Sequence, residues 1–355
     1  MTRRLLLALL AALAVAYLAF GVWILSARAP RPVPPPGEIH GAYHVHTTKS
    51  DGRGSLDQVV RAARQAGLQF VVVTDHNVMT PSDAGYRDGV LVIQGSEVSA
   101  PYGHVVGLGI PRELTREERQ KDTIGNIRAL GGQAVIAHPF HPKRPFTRWA
   151  NRDWSGFEVV SNDSFWGETL KERGIGRILL AALALPWDGT RSVMAFYHEP
   201  KAELARYDAL ASSEWHPLLC ANDAHGYPSY RSAFEAFSMH VPVTLTGDAA
   251  VDVPRVLEGL LGRGAYCVFD GVWPAWGVRL SVPSERDRVE LRVDDRGDPR
   301  ARYTLYLDGA PLGPPARAGG ILSWRCDGTC APGAYRVEGR WDGRPWLFTN
   351  PVNLP

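Results

Sequence analysis

The chain has 355 residues, 45% of them hydrophobic, enough to bury a substantial core in two or three folded units. A formal net charge of +2 excludes both a sequence-wide basic surface for nucleic acid and an acidic solvated arm. Four cysteines without CxxC spacing exclude a disulfide scaffold and a zinc finger, and 36 Gly with 27 Pro stay below low-complexity usage.

Residues 5–25, LLLALLAALAVAYLAFGVWIL, carry no charge. At about 1.5 Å per residue they cover roughly the 30 Å hydrocarbon thickness of a bilayer. This predicts a transmembrane anchor within 1–29; a secretory signal is the alternative, although signal apolar regions usually run about 7–15 residues. Arg3 and Arg4 before the run, against Arg28 and Arg31 after it, favour a cytoplasmic N-terminus and an extracytoplasmic body. PRPVPPPG at 30–37 reads as a stiff polyproline linker.

From 38 to 272, short apolar runs alternate with amphipathic stretches, the pattern of repeated strand–helix units. AYHVH, FVVVTD, VLVIQG, HVVGLG, AVIAH, FEVVSN and LLCAND each read as a strand. One helix is bracketed by Ser55 as N-cap, Gln58 completing a capping box, and Gly67 as stop. Further helices are expected over 123–130, 168–183, 201–212 and 254–261. ILLAALAL within the second of these is too short to span a bilayer and reads as core or as a surface-facing helix. From 277 to 355, alternating strands VRLSV, VELRV, YTLYL, YRVEG and PWLFT with DDRGD, LDG and WDG turns predict a small all-β sandwich.

Metal-ligand residue types recur where these apolar runs end. His44 and His46 are two apart on one strand, so they share a face. Asp51 follows in TTKSDG, Asp75 and His76 end VVVTDHN, Glu97 sits in QGSEVS, and His104 opens HVVGLG. His138 ends AVIAHPFHP with His141 nearby, and Asp223 and His225 end LLCANDAHG. In a parallel α/β barrel the strand C-termini converge on one face, where these side chains would meet. Imidazole and carboxylate donors suit Zn, Mn or Fe, and a carboxylate such as Glu97 can bridge two ions. A single structural ion needs only four ligands, fewer than half of this set.

HVHTTKSDG, TDHN, GSE, AHP and NDAHG together resemble the successive motifs of the polymerase and histidinol phosphatase (PHP) superfamily, over roughly 38–270. The resemblance implies a distorted seven-stranded (βα) barrel holding three divalent ions. It places one ion on His44, His46, Glu97 and Asp223, a second on Glu97, His104 and His138, and a third on Asp51, His76 and His225. The short Glu97-to-His104 spacing, CVFDG and FTNP are similar to the carbaryl-hydrolase-like branch, whose members can cleave carboxylic or carbamic esters. The expected function is a membrane-anchored metal-dependent hydrolase of a small phosphate mono- or diester, by metal-activated hydroxide. The alternatives are a carboxylic or carbamic ester hydrolase on the same metals and a non-catalytic envelope-binding protein. No stable nucleic-acid partner is expected.

His141, as general acid or hydrogen-bond donor, and Lys143 and Arg144, as phosphate contacts in FHPKRPF, are the candidate catalytic helpers. Asp75 reads as an orienting carboxylate beside a ligand, while Glu158 and Asn162 are candidate residues of the site mouth. Cys326 and Cys330 enclose only DGT and could close a tight disulfide in an oxidising compartment. Cys220 reads as a small core residue rather than a nucleophile. Trp273, Trp276, Trp324, Trp341 and Trp346 are expected to pack the C-terminal part.

Overall fold

The computed structural model describes residues 3–30, 33–295 and 297–355. Residues 1 and 2 of the expected anchor, 31 and 32 of the proline stretch and 296 of the DDRGD turn lie outside the described residues.

The N-terminal helix, α1 (Arg3–Ser26), buries only Gly21 and Ile24, and its mean hydropathy of 2.6 makes it long and apolar enough to cross a membrane. The helix and the residues just after it are tied to the body by Arg28, whose guanidinium meets Asp188 at 2.7 Å, and by the Tyr17 hydroxyl donating to the Leu183 carbonyl.

Besides the short strand Gly85–Arg87, which pairs antiparallel with Val90–Ala100, seven strands follow: β1 (Ile39–Val45), β2 (Phe70–Val73), β3 (Val90–Ala100), β4 (Gly103–Leu108), β5 (Gln133–Ile136), β6 (Gly156–Ser161) and β7 (Leu218–Ala221). They are hydrogen-bonded neighbours in that order. β1–β2–β3 are parallel, β4 is antiparallel to both β3 and β5, and β5–β6–β7 are parallel again. The ends of the run meet: Val45 and Ala224 form a parallel bridge, and the Asn222 N–H donates to the Tyr43 carbonyl at 2.8 Å. Side chains alternate as the pleat requires: Phe70 and Val72 face one buried cluster, while Val71 and Val73 face another. The second cluster is covered by helix α2 (Leu56–Ala66) through Val59, Val60 and Ala63.

Helix α2 has the expected ends, a Ser55–Gln58 capping box and Gly67 at φ 84°. The helix expected over 123–130 is present as the second part of Arg116–Ala129, parted at Asp122 (φ −158°, ψ 85°) from an unexpected first part that starts at a Thr115–Glu118 capping box. The one expected over 168–183 is two helices, Asn162–Lys171 and Ile175–Ala184, parted where Arg173 takes φ 53°. The last starts at Ala249 behind Asp248 and carries Pro254 inside it. The helix over Lys201–Ala211 matches its expectation to one residue.

The C-terminal strands form two layers. Trp276–Ser281, Arg288–Asp294 and Ile321–Arg325 make a three-stranded antiparallel sheet. Ala301–Leu307, Gly333–Trp341 and Arg344–Thr349 make the other layer, which continues the seven-stranded run rather than standing apart from it. Two further strands, β8 (Ser238–Val241) and β9 (Tyr266–Val268), join them: β1 pairs β8, β8 pairs β9, and β9 pairs Arg344–Thr349, all antiparallel. This pairing satisfies edge groups that β1 and β9 would otherwise expose. Buried Arg336 also binds Asp208 of the 201–211 helix at 2.5 and 2.7 Å, so the two regions share one core.

Both cysteine pairs are disulfides. Cys326–Cys330 closes the short loop, and Cys220 at the end of β7 is joined to Cys267 of β9 rather than being a free core thiol.

Candidate metal centre

The strand ends bring all nine candidate ligands to one place. His44 is the bulge residue of β1, left-handed at φ 67°, where the β1–β2 register shifts between Tyr43 and Val45. His46 follows the end of β1, Asp75 and His76 follow β2, Glu97 lies in β3, His138 follows β5, and Asp223 and His225 follow β7. β4 runs the other way, so its start carries His104 to the same mouth. His138 at φ 27° and Asp223 at φ 43° are also left-handed, a strained conformation that recurs at functional sites.

Three groups of donors can be separated. In the first, His44 Nε2 and His46 Nε2 are 3.1 Å apart, each lies 3.2 Å from Glu97 Oε2, and Asp223 Oδ1 stands 3.7 and 3.5 Å from them. In the second, Glu97 Oε1 meets His104 Nδ1 at 2.6 Å and His138 Nε2 at 2.9 Å. In the third, Asp51 lies 3.4 Å from each of His76 Nε2, His225 Nε2 and His46 Nδ1. His46 thus faces both the first and third groups, and His76 Nδ1 comes within 3.1 Å of Glu97 Oε2.

Charge explains why these groups tolerate one another. Burial works to lower His46 and His138, yet Glu97 and Asp223 outweigh it and push both imidazoles up to about 9. Burial works to raise Glu97, but His44, His104 and His138 hold it well below the usual carboxylate range. Asp223 is held low in the same way by His44 and His46, and Asp51 is lowered by hydrogen bonds from His225 and His76. The carboxylates therefore demand positive charge inside the cluster, which protons or divalent cations can supply.

The donor set fits metal ions. Ligand atoms around one ion with bonds of about 2.0–2.1 Å sit roughly 3.0–3.4 Å apart, the spacing of His44, His46 and Glu97 in the first group, with Asp223 slightly farther off. Two imidazole nitrogens at 3.1 Å need an electrophile between them or a shared proton.

Supporting carboxylates hold the donors in place. Glu158, fully buried, accepts from His44 Nδ1 and from the His138 backbone N–H, both at 2.8 Å. It lies beneath the ligands, not at the mouth where the sequence put it. Its bond fixes the His44 proton on Nδ1 and leaves Nε2 free as a donor. Asp75 accepts from the Thr47 N–H and hydroxyl at 2.7 Å and from Ser50 at 2.6 Å, shaping the loop that carries Asp51. Ser161 donates to Asp223 Oδ2 at 3.0 Å.

The expected helpers divide. Arg144 Nη1 reaches His104 Nε2 at 3.0 Å. His141 is buried, its ring 5.2 Å from that of His138, and its Nε2 is 3.1 Å from Asp163 Oδ2. Lys143 is exposed, with its backbone N–H against His141 Nδ1. Asn162 starts the 162–171 helix, and its neighbour Asp163 is the carboxylate that meets His141.

No family model matches the chain. It is 29% identical over 109 residues to an uncharacterized protein of Methanocaldococcus jannaschii, covering 29% of this chain and 64% of that protein. It is 37% identical over 78 residues to the phosphoribosyl 1,2-cyclic phosphate 1,2-diphosphodiesterase of Eggerthella lenta, covering 19% of this chain and 29% of that enzyme. The matches thus span less than two thirds of either relative. Among solved structures, a two-domain protein of Bacteroides vulgatus described as containing a predicted PHP-like metal-dependent phosphoesterase aligns over 92% of this chain and 99% of its own, with 13% identity and a TM-score of 0.40.

Proposed function

We propose that this chain is a PHP-type metal-dependent phosphoesterase whose seven-stranded run, β1 to β7, is the distorted (βα) barrel of that superfamily. The observation that carries the reading is Glu97, whose two oxygens each face a separate group of imidazoles. Such a carboxylate would serve two ions, one held with His44, His46 and Asp223 and one with His104 and His138, while Asp51, His76 and His225 would hold a third. Residues 38–272 are assigned to the catalytic unit and 277–355 to the β-sandwich that completes its sheet.

When bound, such ions lower the pKa of a water toward neutrality and offset the charge of phosphate oxygens. The chain's own residues supply the rest. Glu158 keeps the His44 donor aimed inward. Arg144, beside His104, offers a planar cation to the negative charge that grows on a phosphoryl group. Asp163 holds the His141 proton on Nε2, where it can be given to a departing alkoxide.

The α1 span is assigned as a membrane anchor with the catalytic unit outside the cytoplasm. Two disulfides support an oxidising compartment. The test is turnover by the full chain in detergent micelles, stripped by chelation and reloaded with Mn, Zn or Fe. The panel contains chromogenic phosphomonoester, phosphodiester and carboxylic ester. Metal-dependent phosphoester cleavage is expected; cleavage of the carboxylic ester alone overturns the phosphate assignment in favour of the carboxylic or carbamic ester reading.

A further inference from the structure

A second cluster of metal-ligand residues lies at the other end of β1. His40, His240 and Asp270 are all buried, and each offers a donor atom within 4.8 Å of the others. His40 faces His240 directly across the β1–β8 pair, and Asp270 follows β9. His40 precedes His44 by four residues on the same strand, so at about 3.3 Å per residue this cluster lies roughly 13 Å from the catalytic group.

Each imidazole turns one nitrogen to an oxygen outside the cluster. His40 Nε2 sits 3.0 Å from the Gly67 carbonyl, which leaves Nδ1 facing Ser238 Oγ at 3.1 Å. His240 Nδ1, buried and without a hydrogen bond among the described residues, stands 3.4 Å from Glu38 Oε1, which leaves Nε2 facing Asp270 Oδ1. A carbonyl or carboxylate behind each imidazole is the outer-shell arrangement that orients metal-binding histidines. The His240–Asp270 separation of 3.3 Å is long for a hydrogen bond, and it matches the edge of a tetrahedron of ligands at about 2.0–2.1 Å from one ion. Ser238 Oγ, 2.6 Å from Asp270 Oδ2, stands beside these donors as a further oxygen. A cavity of about 410 Å³, lined by His40, Asp270, Thr190, Ser232 and Arg231 among others, reaches the cluster and provides a route for an ion and its water.

We infer that His40 Nδ1, His240 Nε2 and the Asp270 carboxylate bind one further divalent ion of zinc type, separate from those of the catalytic centre. Its role is structural. His40 comes from β1, His240 from β8 and Asp270 from the turn after β9, the three segments through which the seven-stranded run continues into the C-terminal layers. One ion here ties that junction together. Its N₂O donor set, completed by Ser238 or a water from the cavity, suits zinc over magnesium or calcium.

The test uses the full chain in detergent, stripped and then reloaded with Co(II). Bound equivalents are measured by elemental mass spectrometry, and the coordination by visible absorption. D270N keeps an oxygen that accepts from Ser238, so it spares a purely hydrogen-bonded network while weakening an ion site. D270N and H240Q are each expected to bind one equivalent fewer than wild type and to lose part of the cobalt-induced rise in Tm. Phosphoester turnover at saturating metal should stay within about threefold of wild type. Unchanged equivalents in both variants, with circular dichroism of the folded chain, overturn the proposal.

The reciprocal variant H46A/E97A/H138A/H225A, which takes two donors from each group of the catalytic centre, covers the case in which D270N and H240Q fail to fold. It is expected to retain one equivalent with an intense tetrahedral cobalt band, and a folded quadruple variant that binds no cobalt overturns the proposal. Different substitutions empty the two sets, so failure of this inference and failure of the phosphoesterase reading give different results.

Discussion

Replacing Glu158 with Gln probes the catalytic cluster without touching a candidate ligand. Glu158 accepts two hydrogen bonds at 2.8 Å, one from His44 Nδ1 and one from the His138 N–H, and is fully buried. Gln offers one acceptor oxygen and one donor amide, so one of those two N–H groups must face a donor. If the oxygen stays with the fixed backbone N–H of His138, the His44 proton is driven to Nε2, where it blocks the lone pair needed for an ion. Loss of such a supporting carboxylate typically costs 10–100-fold in metal affinity, or about 1.4–2.8 kcal/mol. If the oxygen turns to His44 instead, a buried backbone N–H goes unpaired at about 1–3 kcal/mol of stability. Competitive chelator titration of the full chain in detergent, with thermal denaturation alongside, reads both costs. A folded E158Q chain with wild-type metal affinity and wild-type Tm would refute the tautomer argument.

Other outcomes follow from the same geometry. His46 and His138, both raised to about 9 from an ordinary value near 6.5, stabilise the metal-free fold when protonated. That stability is fully present below about pH 6.5 and is lost as pH rises through about 9. The Tm of the chelated chain should therefore fall across that window while that of the metal-loaded chain does not; parallel curves would contradict the assignment. Arg144→Ala should raise KM or lower kcat for phosphoesters by roughly 10-fold or more, while leaving any neutral carboxylic ester turnover within twofold. Equal losses on both substrates would place Arg144 outside phosphate recognition. Cys220 and Cys267 are 47 residues apart, so C220S/C267S should lose about 4 kcal/mol by loop-closure entropy, read as a lower urea midpoint. An unchanged midpoint would mean that the bond constrains little.

That the candidate ligands would meet was legible because they sit where apolar runs stop, and a strand's end fixes where its side chains go. His44 and His46 share a face at a spacing of two, and the TDHN and NDAHG motifs follow strands directly. Glu158 carried no such mark: within FEVVSN nothing distinguishes a carboxylate beneath the ligands from one at the mouth. The positive φ values of His44, His138 and Asp223 are equally invisible, since they arise from strand bulges and tertiary closure. The reversed direction of β4 also escaped, because a strand reads the same either way along the chain. Pairings between distant segments were the least accessible. Cys220 with Cys267 and His40 with His240 both depend on β8 and β9, short strands whose partners are far away in the sequence. One unexpected helix was legible after all, since Thr115 and Glu118 form a capping box ahead of the turns that precede Asp122.

If the nine donors at the strand mouths hold ions that perform hydrolysis, removing one donor must cost bound metal and turnover together. The most direct test follows bound metal and phosphoester turnover in the same samples of wild type and His138→Ala during stepwise reloading of the chelated full chain. The account predicts that wild-type turnover rises with the equivalents bound, and that His138→Ala loses at least one equivalent together with nearly all turnover. Turnover in His138→Ala equal to wild type at the same added metal would contradict it.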